Sequence, residues 1–148
     1  FYHLYSPGKI SAIAALSVSP QKKRLVLYVR FRTHNLTGID IQSFLAQLLR
    51  QLRKHIVLLW DRGTIHRHKE VKRFLAKHPR VQVEWLPAYA PELNPAEYVW
   101  NQEDSSLANS VSNNIAELRH RLWNNTTKIR SSQKLLWSCI HASDLPKL

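Results

Sequence analysis

The run HIVLLW at residues 55–60 constrains the fold more than any other feature of the chain. It is continuous, apolar and short, and Asp61-Arg62-Gly63 breaks it. Such a run is typical of a β-strand covered on both faces, as in a sheet with helices on either side. The surrounding segments fit that arrangement. Residues 24–32 (RLVLYVRFR) place Leu25, Leu27, Val29 and Phe31 at period two, which predicts a strand. Residues 9–19 (KISAIAALSVS) predict another, and the turn signal Pro20-Gln21-Lys22-Lys23 makes the pair an antiparallel hairpin. Ile41, Phe44, Leu45, Leu48, Leu49 and Leu52 then recur at three- and four-residue spacing, so a helix opens at Thr37-Gly38 and runs through Arg53. Beyond HIVLLW, residues 67–77 predict a basic amphipathic helix ended by His78-Pro79. Residues 81–86 (VQVEWL) predict a further strand, and residues 87–91 a stiff loop. Asn94 reads as an N-cap, with Pro95 at the first helical position. After the polar stretch 109–114, two helical segments carry the stripes Ile115, Leu118, Leu122, Ile129 and Leu135, Leu136, Trp137, Ile140. The expected fold is a layered α/β structure with a mixed sheet, a hairpin first and then right-handed crossovers to parallel strands.

Composition narrows the partner. At 148 residues the chain has room for one domain with a real core. Lys plus Arg is 22 against 10 Asp plus Glu, a net charge of +12, which points to a polyanionic partner, nucleic acid above all. Cys139 is the only cysteine, so an intrachain disulfide and a cysteine-built zinc site are both excluded. The lone cysteine suits a reducing cytosol, and the expected location is the bacterial cytoplasm, at the nucleoid. No apolar run approaches the roughly 18–20 residues that span a bilayer, so no membrane partner is expected.

The acids carry the chemistry. Asp61 ends the HIVLLW strand, and functional groups collect at the carboxyl edge of open α/β sheets. Glu97 lies in the first turn of the helix after the next strand, and the intervening crossover returns the chain to the same edge. Two or three such carboxylates make a hard oxygen site suited to Mg²⁺ or Mn²⁺, and paired ions about 3.5–4 Å apart serve phosphodiester displacement. Plainer roles compete. An Asp before a glycine is often a turn residue, and Asn94 and Glu97 have the spacing of a capping box. Asp104, seven residues after Glu97, is too far along the helix to share its ion, and Glu92 reads as a loop residue.

LLWDRGTIH (58–66) and LPAYAPELNPAEYVW (86–100) resemble the second and third acidic motifs of DDE transposases, most closely those of the bacterial insertion-sequence branch of the mariner superfamily. KISAIAALSVSP and LLWSCIHASDLP are similar to that branch as well. The resemblance implies a ribonuclease H-like mixed sheet flanked by helices. It implies DNA transposition and integration with two Mg²⁺ or Mn²⁺ ions, acting on transposon ends and target DNA, in a homodimer as one possible assembly. By position, Asp61 matches the second acid and Glu97 the third, both as metal ligands, while His66 and Asn94 match residues flanking the site. His66 would contact DNA or orient an acid, unless it only starts the next element. Trp60, Tyr89 and Trp100 are expected in the core or on the cleft wall, and Arg62, Arg67, Lys69, Lys72 and Arg73 along DNA. Lys77 and Arg80 could join them, though a solvated helix face explains half of these cations equally well.

The chain departs from the pattern at its start. The family's first Asp lies on a strand before the hairpin, whereas no acid here precedes Asp40, at the start of a helix. The expectation is a catalytic core over residues 1–110 that lacks its first strand, with a basic helical extension of the same domain over 111–148 and impaired activity. A DNA-binding remnant without catalysis is the alternative, and a stand-alone ribonuclease H-like nuclease a third reading that the Asn-Pro-x-Glu string disfavours.

Overall fold

A computed structural model describes residues 2–4, 10–21, 24–107 and 112–146, with side chains over 10–21, 24–103 and 112–146. The expected hairpin is present: β2 (Ile10–Val18) and β3 (Leu25–Arg32) pair antiparallel from Ser11↔Arg32 to Val18↔Leu25. A short strand that the sequence pattern did not suggest, β1 (Tyr2–Leu4), pairs antiparallel with the start of β2. Helix α1 (Gly38–Gln51) follows, then β4 (Ile56–Trp60), a 3-10 turn (Thr64–Arg67), α2 (Lys69–Ala76) and β5 (Val81–Trp85). A second 3-10 turn (Pro91–Leu93) leads into α3 (Pro95–Leu107), α4 (Ile115–Ser131) and α5 (Gln133–Ala142). The polar stretch at 109–114 lies partly outside the described residues.

Period-two patterning explains the layers. Leu25, Leu27, Val29 and Phe31 all point to one face of the hairpin and are buried there, with Ile10 and Ala12 beside them. Val99 and Trp100 of α3, Leu118 and Leu122 of α4, and Leu136 and Ile140 of α5 close over that face. The opposite face, with Ile13, Ala15 and Tyr28, packs against Ile41, Phe44, Leu45 and Leu48 of α1 and Val71 of α2. Two helical layers therefore sandwich the strands, and α4 and α5 share one apolar cluster with β2 and β3.

The expected mixed sheet is hydrogen-bonded in two pieces among the described residues: β1-β2-β3, and the parallel pair β4-β5. One expectation for β4 is corrected. Leu58 and Trp60 pack on the α1 side, but Val57 and Leu59 are 56% and 44% exposed, so HIVLLW is covered on one face and not on both.

Polar contacts close the seams. Asp40 does not belong to a cleft. Its carboxylate accepts the Thr37 N–H in a capping box that starts α1, and it pairs with Arg32 and His34. Arg80, one of the cations weighed for DNA, instead donates to the carbonyls of Leu49, Leu52 and Lys54 at the end of α1. Buried Glu103 joins α3 to α4, accepting from Thr126 Oγ1 at 2.6 Å and Asn125 Nδ2 at 2.8 Å, and burial pushes its carboxyl pKa up.

The Gln133 amide binds the backbone of Leu25 in both directions, accepting its N–H at 2.9 Å and donating to its carbonyl at 2.8 Å. It thereby substitutes for a strand neighbour on the outer edge of β3. Gln133→Ala is expected to lower stability by about 1–3 kcal/mol, the cost of leaving those two groups without partners. A denaturant midpoint unchanged at constant slope would contradict this.

Candidate active site

Asp61 follows β4 directly, so its backbone lies at the carboxyl edge of the parallel pair. Its Oδ1 accepts two hydrogen bonds, from the Gly63 N–H at 2.9 Å and from His66 Nε2 at 2.9 Å. Oδ2 has no hydrogen bond to any described residue. The His66 bond, opposed by partial burial and helped by the Gly63 N–H, holds the Asp61 pKa down to about 2. The carboxylate is thus ionised at neutral pH, with one oxygen committed and the other available.

His66 orients the acid. It sits in the 3-10 turn after β4, is buried, and its ring lies 4.2 Å from that of Trp60. Trp60 in turn stacks on Trp85 of β5, with centroids 5.9 Å apart and planes within 3°. The imidazole is therefore clamped between the β4 aromatic and the acid it positions, while its Nδ1 is buried without a hydrogen bond among the described residues. Gly63 permits the close turn: a Cβ there would lie 3.0 Å from Asp61 Oδ1 and 3.2 Å from His66 Cδ2. Sequence reading passed over Gly63 and Trp85. The spacing Asp-x-Gly-x-x-His was the signal for the first, and nothing local signals the second.

His66→Ala is expected to raise the Asp61 pKa from about 2 toward the ordinary carboxylate value near ~3.9, read by a ¹³C carboxyl NMR titration. The sign follows from the depressed folded value. Ionised Asp61 contributes stability above the unfolded pKa, and that contribution is lost as pH falls from about 4 to about 2. A titration that the substitution leaves unmoved would show that the imidazole does not set this pKa.

Glu97 lies in the first turn of α3. Asn94 Oδ1 accepts the Ala96 N–H at 3.1 Å and so starts α3 as expected. The capping-box alternative for Glu97 does not form: its N–H bonds Asn94 O, and its carboxylate has no hydrogen bond to a described residue. Asp61, His66, Asn94, Glu97 and Trp100 all line one cavity of 730 Å³ between β2 and β4. Among the described residues, no group of three His, Cys, Asp or Glu side chains gathers as a metal site. The donor set is thus two hard carboxylates, of the type that suits Mg²⁺ or Mn²⁺ but short of a full cage.

The remaining expected residues divide. Arg67, Lys69, Lys72 and Arg73 are exposed on or just before α2, whose buried side is Val71. Lys77 is exposed as well. Arg62 donates through Nε to the Leu86 carbonyl at 3.1 Å, which ties the end of β4 to the end of β5. Tyr89 overturns its expectation: it has φ 59 and is fully exposed, so it belongs to neither core nor cleft wall. Trp100 is buried, as expected. Glu92 stays in the loop, its carbonyl accepting the Asp144 N–H at 2.9 Å, while the side chain of Asp104 lies outside the described residues.

Strands held between two helical layers, with a strand-end acid and a helix-borne acid lining one cavity, are the arrangement of a ribonuclease H-like fold. The chain belongs to the DDE superfamily endonuclease family, whose model matches residues 2–119. Its fold is similar to the catalytic domain of Mos1 mariner transposase, with a TM-score of 0.64 and 15% identity over 89% of this chain and 74% of that one. The Mos1 transposase catalytic domain with Raltegravir and Mg gives the same TM-score and identity, over 89% of this chain and 76% of that one. A chain of the simian T-cell lymphotropic virus intasome in complex with the PP2A regulatory subunit B56 gamma is similar at TM-score 0.60 and 14% identity, over 99% of this chain and 54% of that one. At such identities the likeness is one of fold. No curated protein matches the sequence. Among the described residues, no helix is long and apolar enough to cross a membrane.

Proposed function

We propose that this chain performs metal-dependent cleavage and joining of DNA strands in the transposition of a bacterial insertion sequence, with Asp61 and Glu97 as its metal-holding carboxylates. One observation carries the reading: two carboxylates from separate segments line the same cavity, each with oxygen atoms not committed to the protein. When bound, Mg²⁺ or Mn²⁺ supplies Lewis-acid activation of a water or 3′-hydroxyl and stabilises the leaving oxygen. The protein's own residues do the rest. His66 and Gly63 keep Asp61 ionised and fixed. Asn94 sets the start of α3 and hence the position of Glu97. The exposed cations Arg67, Lys69, Lys72 and Arg73, with the outer guanidinium nitrogens of Arg62, hold the phosphate backbone of transposon end or target in a salt-sensitive manner. The core of this activity spans residues 1–110, and α4 and α5 extend the same domain, a continuity supported by the apolar cluster they share with the hairpin. The bacterial cytoplasm is where such DNA lies.

Nicking of supercoiled plasmid tests this. The expected result is open-circle product with Mg²⁺ or Mn²⁺ and none with EDTA. A second reading, a DNA-binding remnant, is favoured by the lack of a third acidic group at the cavity among the described residues. Salt-sensitive DNA binding with no nicking in either metal would support the remnant and reject catalysis.

A further inference from the structure

Helix α4 turns its apolar stripe to the hairpin and a different chemistry to solvent. Its buried residues are Leu118, Leu122, Thr126 and Ile129, whereas Trp123 is 48% exposed. Ile115, Ala116, Arg119, His120 and Trp123 run along one flank of the helix, at helical spacing. With Thr33, just after β3, they line a pocket of 410 Å³. The other α4 residues of this pocket precede Trp123. Arg130 comes about two turns after it, with its guanidinium carbon over the indole at 5.5 Å from the ring centroid. Charge on the helix is one-sided. Glu117 is the only acid of α4; it takes Arg121 Nη2 at 2.6 Å and the Asn113 N–H at 2.9 Å. Arg119 and Arg130 pair with no acid among the described residues.

We infer that this flank of α4 is a second DNA-binding surface, which takes an unpaired base into the pocket against Trp123 and its flanking phosphates onto Arg119 and Arg130. A duplex backbone needs only cations, and an apolar pocket beside a half-exposed indole adds nothing to that contact. An unpaired base offers a π-face that stacks on the indole, with Ile115 and Ala116 beside it. The guanidinium over the ring adds a cation to the same platform. The net charge of +12 and the unpaired arginines favour a polyanion over a second copy of the chain, which would bring its own cations here. The surface is separate from the carboxylates. It lies against β3, and β2 stands between that strand and the cavity lined by Asp61 and Glu97. Trp123 and Arg130 also lie beyond residues 2–119, which the family model matches. The inference takes from the proposed function only that the polyanion is DNA, and nothing from the metal chemistry.

The test is fluorescence anisotropy on the whole chain in EDTA, with a labelled oligothymidylate of about twelve residues as probe. Its controls are an abasic sugar-phosphate strand and a duplex of the same length, which keep the phosphates but offer no unpaired base. Trp123→Leu is expected to weaken oligothymidylate binding by about tenfold, and Trp123→Phe to retain most of it. Neither variant should change affinity for the abasic strand or the duplex, and that unchanged binding also reports that both variants are folded. Equal losses on the oligothymidylate and abasic probes, or no loss on either, would overturn the inference. So would self-association of the chain that Trp123→Leu abolishes, since a second copy would then be the occupant. Absence of plasmid nicking leaves the result untouched, whereas a chain that binds no duplex would reject DNA as the partner and this inference with it.

Discussion

Asp61→Asn is expected to lower metal-dependent DNA nicking by about 10²–10³-fold, the rate equivalent of the several kcal/mol of charge stabilisation that a bound divalent ion supplies. The isosteric amide keeps the size of the side chain and can still take the Gly63 N–H at its oxygen, so the fold around it should hold. What it removes is the negative charge that His66 helps to keep at neutral pH. The effect should therefore fall on the rate, and DNA affinity, proposed to come from the exposed cations on and just before α2, should change little. Full activity in Asp61→Asn would remove this carboxylate from the chemistry altogether. Rate measurements by plasmid nicking and affinity by fluorescence anisotropy, on the same preparations, separate the two outcomes.

The second large effect concerns the extent of the domain. Leu136 of α5 is fully buried in the cluster formed with Leu25, Leu27 and Leu122. Leu136→Ala is expected to lower the stability of the whole chain by about 2–5 kcal/mol, combining lost transfer energy with the cavity left behind. A single cooperative denaturation, moved to lower urea for both the β2–β3 hairpin and the helices, is the predicted form. If α5 melted separately, leaving the hairpin transition where it was, the helices after residue 111 would be an appendage and not a layer of the same core.

The sequence exposed what depends on local periodicity. The alternation of Leu25, Leu27, Val29 and Phe31 predicted a buried strand face, and all four are buried. The motifs of Asp61 and Glu97 fall at a strand end and at the next helix start, and both residues line one cavity. Local pattern failed where tertiary neighbours decide. HIVLLW reads as covered on both faces, yet whether Val57 and Leu59 are covered depends on what lies across the groove. The Asn94–Glu97 spacing suggested a capping box that does not form, while Thr37 and Asp40, at the same spacing, do form one. The two sites differ in what else each acid meets, and spacing does not encode that. Tyr89 looked like a wall residue because aromatics usually are, but it sits at a positive φ in the loop and is fully exposed. The Gln133–Leu25 clasp joins residues 108 apart in the chain and has no sequence signal.

Asp61 and Glu97 are proposed to form one divalent-ion site. The most direct test is Mn²⁺ titration followed by electron paramagnetic resonance on the chain, Asp61→Asn and Glu97→Gln. The prediction is saturable Mn²⁺ binding that weakens by about tenfold or more in each variant, with the double variant no weaker than the product of the two. Mn²⁺ affinity identical in all of them would contradict the site.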